Sequence, residues 1–195
     1  MTSRLEYYIF NKPYDVLSQF TKEIPSHKTL ADYINIDRSV YPIGRLDRDS
    51  EGLLLLTNDN TLKTKLLNPS HRSPKTYLAQ VDGMITDKAI ETLRSGVSIK
   101  LKSGRYNTMP CEVKIVKPKD IADRIPPIRK RANIPTSWIE ITIVEGKNRQ
   151  IRKMSAAVGY PCLRLIRIGI LGLRFDDVQS GRYRKLTNGE LHTLL

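Results

Sequence analysis

The sequence is poor in the residues that build metal centres and disulfide frameworks. Of its 195 residues, two are cysteine and three are histidine. Cys111 and Cys162 lie far apart in the chain, and the histidines are dispersed, so neither a zinc spacing nor a cysteine pairing is present. A glycine-rich phosphate loop ending in Lys-Ser/Thr is also missing. We therefore expect buried free thiols, no metal and no nucleotide cofactor.

Long apolar segments are missing as well. No run approaches the roughly 20 residues that cross a bilayer. The polar start, Met1–Glu6, lacks the apolar core of a signal peptide. We find no internal repeat and no low-complexity tract, which argues against solenoids. These absences favour a soluble, cytoplasmic protein without a membrane partner.

Acidic residues are the minority among the charges. The chain has 33 Lys and Arg against 20 Asp and Glu, a formal net charge of +13. Such an excess favours a polyanionic partner, and nucleic acid suits it better than an anionic membrane or a neutral sugar. Part of the excess lies on an apolar strand pattern, where Arg164 and Arg167 are expected to extend a positive patch toward Arg174. The length allows one domain or two tightly fused lobes.

Strand and helix patterns alternate irregularly, which is typical of an α+β protein with a mixed sheet. Strands are expected at Tyr7–Phe10, Leu53–Leu56, Lys75–Val81 and Trp138–Val144. Helices are expected after the N-caps Thr29, Asn60 and Asn148 and from Thr86 onward, and Thr187 with Glu190 has the spacing of a capping box. Residues 117–137 contain four prolines and six Lys or Arg, so we expect a basic surface loop, either a solvated connector or an RNA-binding arm.

A dense cluster of charge, residues 44–52, runs directly into four leucines that must be buried. An ionised carboxylate at the edge of a core needs a cation or several donors, and such groups concentrate at functional sites. Asp47 is therefore a candidate, although a turn residue or a glycosidase pair with Asp49 or Glu51 also fits the pattern. A calcium loop does not fit, because Asn58 stands where a bidentate Glu is needed.

Cations cluster at the start of the helix expected after Asn148. The apolar stripe of this helix consists of Ile151, Met154, Ser155 and Val158, and Gly159 ends it. Arg149, Arg152 and Lys153 lie off the stripe, near the positive end of the helix dipole. Because cations at that end repel the dipole, we infer an anion that they bind.

Four segments, in this order, resemble motifs of the pseudouridine synthases that act on ribosomal RNA, in the branch of small-subunit synthase A and large-subunit synthases B, E and F. They are residues 11–13, 44–58, 75–77 and 145–154. Residues 11–17, 126–129 and 134–138 further resemble the E-type members. The resemblance covers nearly the whole chain. It implies one catalytic domain over residues 1–195, without the N-terminal module of the ribosomal protein S4 type that many members carry.

The resemblance implies an isomerase that converts one uridine of large-subunit (23S) ribosomal RNA into pseudouridine, as a monomer and without a cofactor. Asp47 matches the aspartate that attacks during cleavage of the C1′–N1 bond, before the base rotates and rejoins through C5. Attack on the sugar, addition to the base and removal of a sugar proton are all compatible with the motif. Tyr77, which alternation alone would make a core aromatic, matches the tyrosine that stacks on uracil. Arg152 matches the cation that pairs with the carboxylate, and Ile151 the residue that packs on the base.

Further residues are expected to bind the substrate, namely Arg45, Lys75, Arg149 and Lys153. Arg45 would fill the space of the flipped base or form a structural ion pair with Asp49 or Glu51. The implied fold has a mixed, mostly antiparallel central sheet with flanking helices, in two lobes around a basic cleft. The rival function is a non-catalytic protein that binds ribosomal RNA, or assists its assembly, with the same cleft.

Overall fold

The structure, a computed structural model, describes residues 4–119, 121–128, 134–174 and 178–194. Two compact units divide the chain. Unit 1 combines residues 1–73 with residues 167–195, and unit 2 contains residues 74–166. No helix within the described ranges is long and apolar enough to cross a membrane.

The described residues form strands and helices in irregular alternation. The strands are β1 (Tyr7–Lys12), β2 (Val16–Leu17), β3 (Lys28–Thr29), β4 (Tyr41–Pro42), β5 (Glu51–Thr57), β6 (Lys75–Asp82), β7 (Ser98–Leu101), β8 (Gly104–Asn107), β9 (Glu112–Val116), β10 (Thr136–Ile143), β11 (Cys162–Ile170), β12 (Leu173–Arg174) and β13 (Tyr183–Lys185). The α-helices are α1 (Asn60–Leu67), α2 (Asp87–Ser95), α3 (Gln150–Ala157) and α4 (Asn188–Leu194), and 3₁₀ turns lie at Leu30–Asp32 and Pro69–His71.

Unit 1 is built around β5, whose residues are all buried. Leu53 and Leu55 pack in one apolar cluster, to which α1 and α4 contribute leucines, while Leu54 and Leu56 pack in another. Successive side chains of a strand point to opposite faces, so a strand with two apolar faces must lie between two packed layers. On one side β5 pairs antiparallel with β1, which in turn pairs with β13.

Unit 2 is organised by β10, which pairs antiparallel with β6 and with β9. Burial alternates along β10, since Ile139 and Ile141 are buried, whereas Trp138, the residue before Ile139, is half-buried. The amphipathic helix α2 buries Ile90 and Leu93. β7 and β8 form an antiparallel hairpin. This unit therefore has one apolar sheet face and one face that carries polar side chains.

The structure confirms the α+β class and the mixed, mostly antiparallel pairing, with β2 and β3 as a parallel pair. The N-cap Thr29 is also confirmed, and the helix predicted from Thr86 begins directly after this residue, which is its N-cap. In the predicted capping box, Glu190 accepts from the amide of Thr187 (2.8 Å), and the Thr187 hydroxyl accepts from the amide of Glu190 (3.3 Å).

Several predicted boundaries are wrong by one or two residues. Asp59, and not Asn60, caps α1, because its Oδ1 accepts from the amides of Thr61 (2.9 Å) and Leu62 (3.0 Å). β1 continues to Lys12, and β10 already begins at Thr136, inside the predicted loop 117–137. Residues 120 and 129–133 of that loop lie outside the described residues.

The two cysteines are free thiols, as predicted. They are half-buried, whereas full burial was predicted. Burial raises the pKa of Cys111 to about 11, so its thiol is protonated at neutral pH.

Candidate active site

The backbone before Asp47 is held by Ser18. The Ser18 hydroxyl donates to the carbonyl of Leu46 (2.8 Å) and accepts from its amide (3.1 Å). Both residues are buried, so these hydrogen bonds form away from water. One hydroxyl therefore satisfies both backbone groups of the residue next to Asp47.

The backbone after Asp47 is held through Arg48. Its carbonyl accepts from the amide of Asp15 (2.8 Å), and its guanidinium forms an ion pair with the Asp15 carboxylate (2.5 Å). A second nitrogen of Arg48 lies 3.2 Å from Nε2 of His27. The ion pair is half-exposed and contributes little by itself, but it adds to a backbone that is fixed on both sides of Asp47. Such preorganisation is what a reacting carboxylate requires.

Lys12 lies beneath this loop and has no exposed surface. Its ammonium donates to the carbonyls of Pro13 (2.9 Å), Val16 (2.8 Å) and Arg48 (3.4 Å). Burial lowers the pKa of Lys12 to about 8, while the negative charges of nearby carboxylates, Asp47 among them, oppose this shift. A buried ammonium thus joins the end of β1 to the loop that carries Asp47.

Gly52 brings β5 and β11 unusually close together. Its φ is +104°, and a Cβ at this position would lie 2.3 Å from the carbonyl oxygen of Arg167. Nε of Arg167 donates to the carbonyl of Leu53 at 2.7 Å. Only glycine fits here, because both the backbone conformation and the space exclude a side chain. The charged loop is thereby anchored at the first residues of the buried strand.

Asp47 itself is half-buried, and Arg45 is exposed. Both alternatives for Arg45, the space of the flipped base and an ion pair with Asp49 or Glu51, stay predictions. The segment around Asp47 does not stay extended, because the chain turns at Arg48 and Asp49. The turn brings the amide of Ser50 within 3.0 Å of the Asp47 carbonyl.

In unit 2, Tyr77 lies in β6 opposite Ile141 and is 8 % exposed. It shares the apolar face of the sheet with Ala79 and Ile139, because opposed residues of an antiparallel pair point to the same side. Lys75, two residues earlier on the same side, is half-buried. The position of Tyr77 fits both a core aromatic and a ring that presents one face to a ligand.

The start of α3 differs from the prediction. The N-cap is Arg149, in the left-handed conformation (φ 52°) and without a side-chain cap, and not Asn148. The buried side chain of Gln150 takes over part of the capping, since its Oε1 accepts from the amide of Lys147 (3.0 Å). Its Nε2 donates to Glu145 (2.5 Å). The prediction failed because the capping group lies inside the helix and reaches back to the loop.

Glu145 connects α3 to the β7–β8 hairpin. Its carboxylate accepts from the hydroxyl of Tyr106 (2.5 Å) and from the amide of Met109 (2.9 Å), in addition to Gln150. The hydrogen bond to Glu145, together with burial and the negative charge, raises the pKa of Tyr106. Lys147 covers the Tyr106 ring at 4.7 Å from its centroid. These contacts fix the orientation in which α3 leaves the loop.

Four predicted site residues lie on or beside α3. Ile151 is buried, while Arg152 is half-buried and donates to the carbonyl of Cys162 at 3.1 Å. Arg149 is exposed, and Lys153 is half-buried with its ammonium 3.4 Å from Oδ1 of Asn148. The cations therefore lie at the helix start as expected from the sequence.

The predicted extension of the positive patch along β11 is wrong. Arg164 and Arg167 are 8 % and 4 % exposed, and each donates to a backbone carbonyl, that of Ala122 (2.8 Å) and that of Leu53 (2.7 Å). Guanidinium groups bonded to backbone in this way support the fold and do not form a surface patch.

Sequence reasoning singled out Asp47 but missed the residues that hold its loop, Ser18 and Lys12, and the residue that orients α3, Glu145. A signal existed for two of them, because Lys12 and Glu145 lie inside segments with family-like motifs. Ser18 carries no such signal, since its partner is 28 residues away.

Comparisons with known proteins agree with the motifs. The model of the family "RNA pseudouridylate synthase" matches residues 6–157. A curated protein named ribosomal large subunit pseudouridine synthase E, from Vibrio parahaemolyticus, is 51% identical over 178 residues, which cover 91% of this chain and 72% of the relative. A protein of the same name from Xanthomonas axonopodis pv. citri is 45% identical over 170 residues, covering 86% of this chain and 87% of the relative.

Structural comparison gives the same fold. A crystal structure described as a pseudouridylate synthase superposes with a TM-score of 0.79 at 24% identity, covering 98% of this chain and 74% of that chain. A structural similarity at this identity shows the fold, whereas the sequence relatives show the family. The chain belongs to the RNA pseudouridylate synthase family.

Proposed function

We propose that this protein converts one uridine of large-subunit (23S) ribosomal RNA into pseudouridine. The observation that carries the proposal is the backbone of the Asp47 loop, which is held on both sides by Ser18 and Arg48 in a chain of this family. Relatives at 43–51% identity carry the name of a large-subunit synthase. The net charge of +13 suits an RNA substrate.

In the proposed reaction, the Asp47 carboxylate attacks while the C1′–N1 bond of the uridine breaks. The uracil rotates, a C1′–C5 bond forms as the Asp47 carboxylate is released, the C5 proton leaves and N1 is protonated. No atom is gained or lost overall, so the reaction needs neither a cofactor nor a co-substrate. The attack needs a carboxylate, and Arg152 is assigned as the cation that compensates its charge.

The uracil must leave the RNA stack before it can rotate. We assign Tyr77 to stack on the extruded base and Ile151 to pack against it, which replaces part of the lost stacking. Arg45 is assigned to the space that the base vacates.

We assign Arg149, Lys153 and Lys75 to phosphates around the target. Arg149 is exposed and the two lysines are half-buried, which leaves each accessible to RNA at least in part. Phosphate contacts of this kind position the RNA without reading its sequence.

Both units together are proposed to form one catalytic domain, because the matched family segment, residues 6–157, draws on both. A basic cleft, a monomeric state and a cytoplasmic location remain predictions. Sedimentation would test the monomer, and cell fractionation would test the location.

The deciding experiment maps pseudouridine on large-subunit ribosomal RNA. RNA from cells that lack the protein is mapped before and after incubation with the wild type or with Asp47→Asn. We expect one site to be absent in these cells and to be restored by the wild type alone. RNA that binds the wild type normally but gains no pseudouridine would instead indicate the rival, a binding or assembly protein on a synthase fold.

A further inference from the structure

A cavity of about 430 Å³ lies in unit 2, on the side of the sheet opposite Tyr77. Trp138 pairs with Gln80 and Thr136 with Asp82, and all four line the cavity. Tyr77 is three residues from Gln80 on β6, an odd separation, so the two side chains point to opposite faces. The cavity is therefore distinct from the surface on which Tyr77 lies.

The walls of the cavity are fixed by the fold. Residues of β6, β10 and β11 line it, and most of the segment 121–128, called the rim here, lines it as well. Nη1 of Arg164 donates to the carbonyl of Ala122 (2.8 Å), which ties this rim to β11. Nε of Arg124 donates to the carbonyl of Pro126 (2.9 Å) and holds the turn that follows. A preformed cavity of this size is within the range of small-ligand sites.

The lining combines an aromatic ring with aliphatic side chains. Trp138, the only tryptophan of the chain, is half-buried and lines the cavity. Ile121, Ile128 and Leu163 face the same space. A flat aromatic ligand can stack on the indole while the aliphatic groups exclude water from its other side.

The charges in the lining indicate what kind of ligand fits. Among the described residues that line the cavity, two arginines, Arg124 and Arg164, are balanced by two aspartates, Asp82 and Asp123. An anion would favour a surplus of cations, and a metal ion a surplus of carboxylates. A neutral ring that both donates and accepts hydrogen bonds fits the balance better, and a nucleobase is such a ring.

The surface beside the cavity suits the phosphates of a nucleotide. Lys117 and Lys119 are exposed on either side of Pro118, which lines the cavity. A base inside and its phosphates at these lysines would place the uncharged and the charged parts of a nucleotide in matching surroundings.

We propose that this cavity binds an unstacked base of the RNA, other than the uridine that is isomerised, with the base stacked on Trp138. The proposal rests on the proposed function, because it takes the ligand to be the substrate RNA. It gives the enzyme a second point of recognition on the face opposite Tyr77. Target selection could then use a base outside the reacting nucleotide.

Tryptophan fluorescence of the wild type tests this proposal directly, because all indole emission comes from Trp138. The protein is titrated with a single-stranded RNA oligonucleotide and with an abasic ribose-phosphate chain of equal length. Anisotropy of a label on either chain reports binding independently. Stacking predicts quenching by the RNA but not by the bound abasic chain. Equal quenching by both, or none with bound RNA, overturns the proposal.

Variants provide the second arm. Trp138→Leu should weaken RNA binding about 10-fold, whereas Trp138→Phe, which keeps a ring, should stay close to the wild type. Tyr41→Leu is the matched control, since Tyr41 is a 54% exposed aromatic of unit 1. Unchanged affinity of a folded Trp138→Leu protein overturns the proposal.

Ile121→Glu covers the case in which Trp138→Leu does not fold. It puts a further carboxylate at the rim, keeps the fluorophore, and should lower both RNA affinity and quenching. Unchanged quenching counts against the proposal.

Failure of the cavity proposal can be distinguished from failure of the proposed function. If mapping restores the pseudouridine but the bases do not quench Trp138, only the cavity assignment fails. If the RNA does not bind at all, both fail.

Discussion

Ser18 holds Leu46 through both of its backbone groups, donating to the carbonyl at 2.8 Å and accepting from the amide at 3.1 Å. Leu46 precedes Asp47, so one buried hydroxyl fixes the direction in which the chain enters the proposed catalytic residue. A backbone fixed by a group 28 residues away cannot relax by local rearrangement. The position of Asp47 is thus tied to a second part of unit 1.

Ser18→Ala should lower kcat about 10- to 100-fold, because a displaced reacting group loses its alignment. KM should change little, since Ser18 is buried and does not reach a substrate. Steady-state kinetics of pseudouridine formation would measure both. Ser70→Ala removes an exposed hydroxyl that donates to Asn68 and should leave both constants unchanged. A rise in KM alone would contradict a positioning role.

Lys12→Met should make stability respond differently to pH. Burial lowers the pKa of Lys12 to about 8 in the folded protein, against about 10.5 when unfolded. Between these values the unfolded chain binds more protons, so the free energy of unfolding contributed by Lys12 rises with pH. The wild type should therefore gain stability over Lys12→Met from pH 8 to 10.5, with a constant difference below pH 8. Denaturant unfolding at several pH values measures this. A free energy of unfolding of the wild type that falls relative to that of Lys12→Met between pH 8 and 10.5 would contradict it.

Gly52→Ala should unfold unit 1 or destabilise it by several kcal/mol, because its Cβ would meet the Arg167 carbonyl in a conformation that favours glycine. Gly159→Ala is the matched control. Gly159 also has a positive φ, of +89°, but a Cβ there meets nothing within 4 Å. We expect a loss of about 1 kcal/mol for Gly159→Ala. Equal losses in thermal unfolding would show that the close approach to Arg167 does not matter.

The contact between Tyr106 and Glu145 should couple the β7–β8 hairpin to α3. A double-mutant cycle of Tyr106→Phe and Glu145→Gln should give an interaction energy of about 0.5–3 kcal/mol in denaturant unfolding. The exposed pair of Arg94 and Glu91, treated in the same way, should give about 0.2–0.5 kcal/mol. An interaction energy no larger than that of the exposed pair would mean that Glu145 does not hold α3.

RNA affinity should fall steeply with salt, and Arg149→Ala should reduce the slope of log K against log[salt] by about 1, as expected when one phosphate contact is lost. Arg38→Ala removes an exposed arginine outside the proposed site and should leave the slope unchanged. Anisotropy titrations at several salt concentrations measure the slopes. A slope that is flat for the wild type would argue against an RNA substrate.

The pattern of apolar residues predicted the strands well where the burial of these side chains alone decides the local structure. The four leucines of β5 had to be buried, and the alternation of Ile139, Ile141 and Ile143 required a strand with one apolar face. Prediction failed at Asn60 because the neighbouring Asp59 can cap a helix equally well, and at Asn148 because the side chain of Gln150, inside the helix, takes over part of the capping.

The sequence by itself determined the family, the α+β class and the candidate Asp47, because motifs and periodicity are local properties of the chain. Only the tertiary structure decided that Ser18 and Lys12 hold the Asp47 loop, that Arg164 and Arg167 are buried, and that Trp138 lines a cavity. Each of these depends on residues distant in sequence, whose burial and hydrogen bonds exist only after the strands have paired. A charge pattern shows which side chains are cationic, but folding decides which of them are bonded to buried backbone and which can bind RNA.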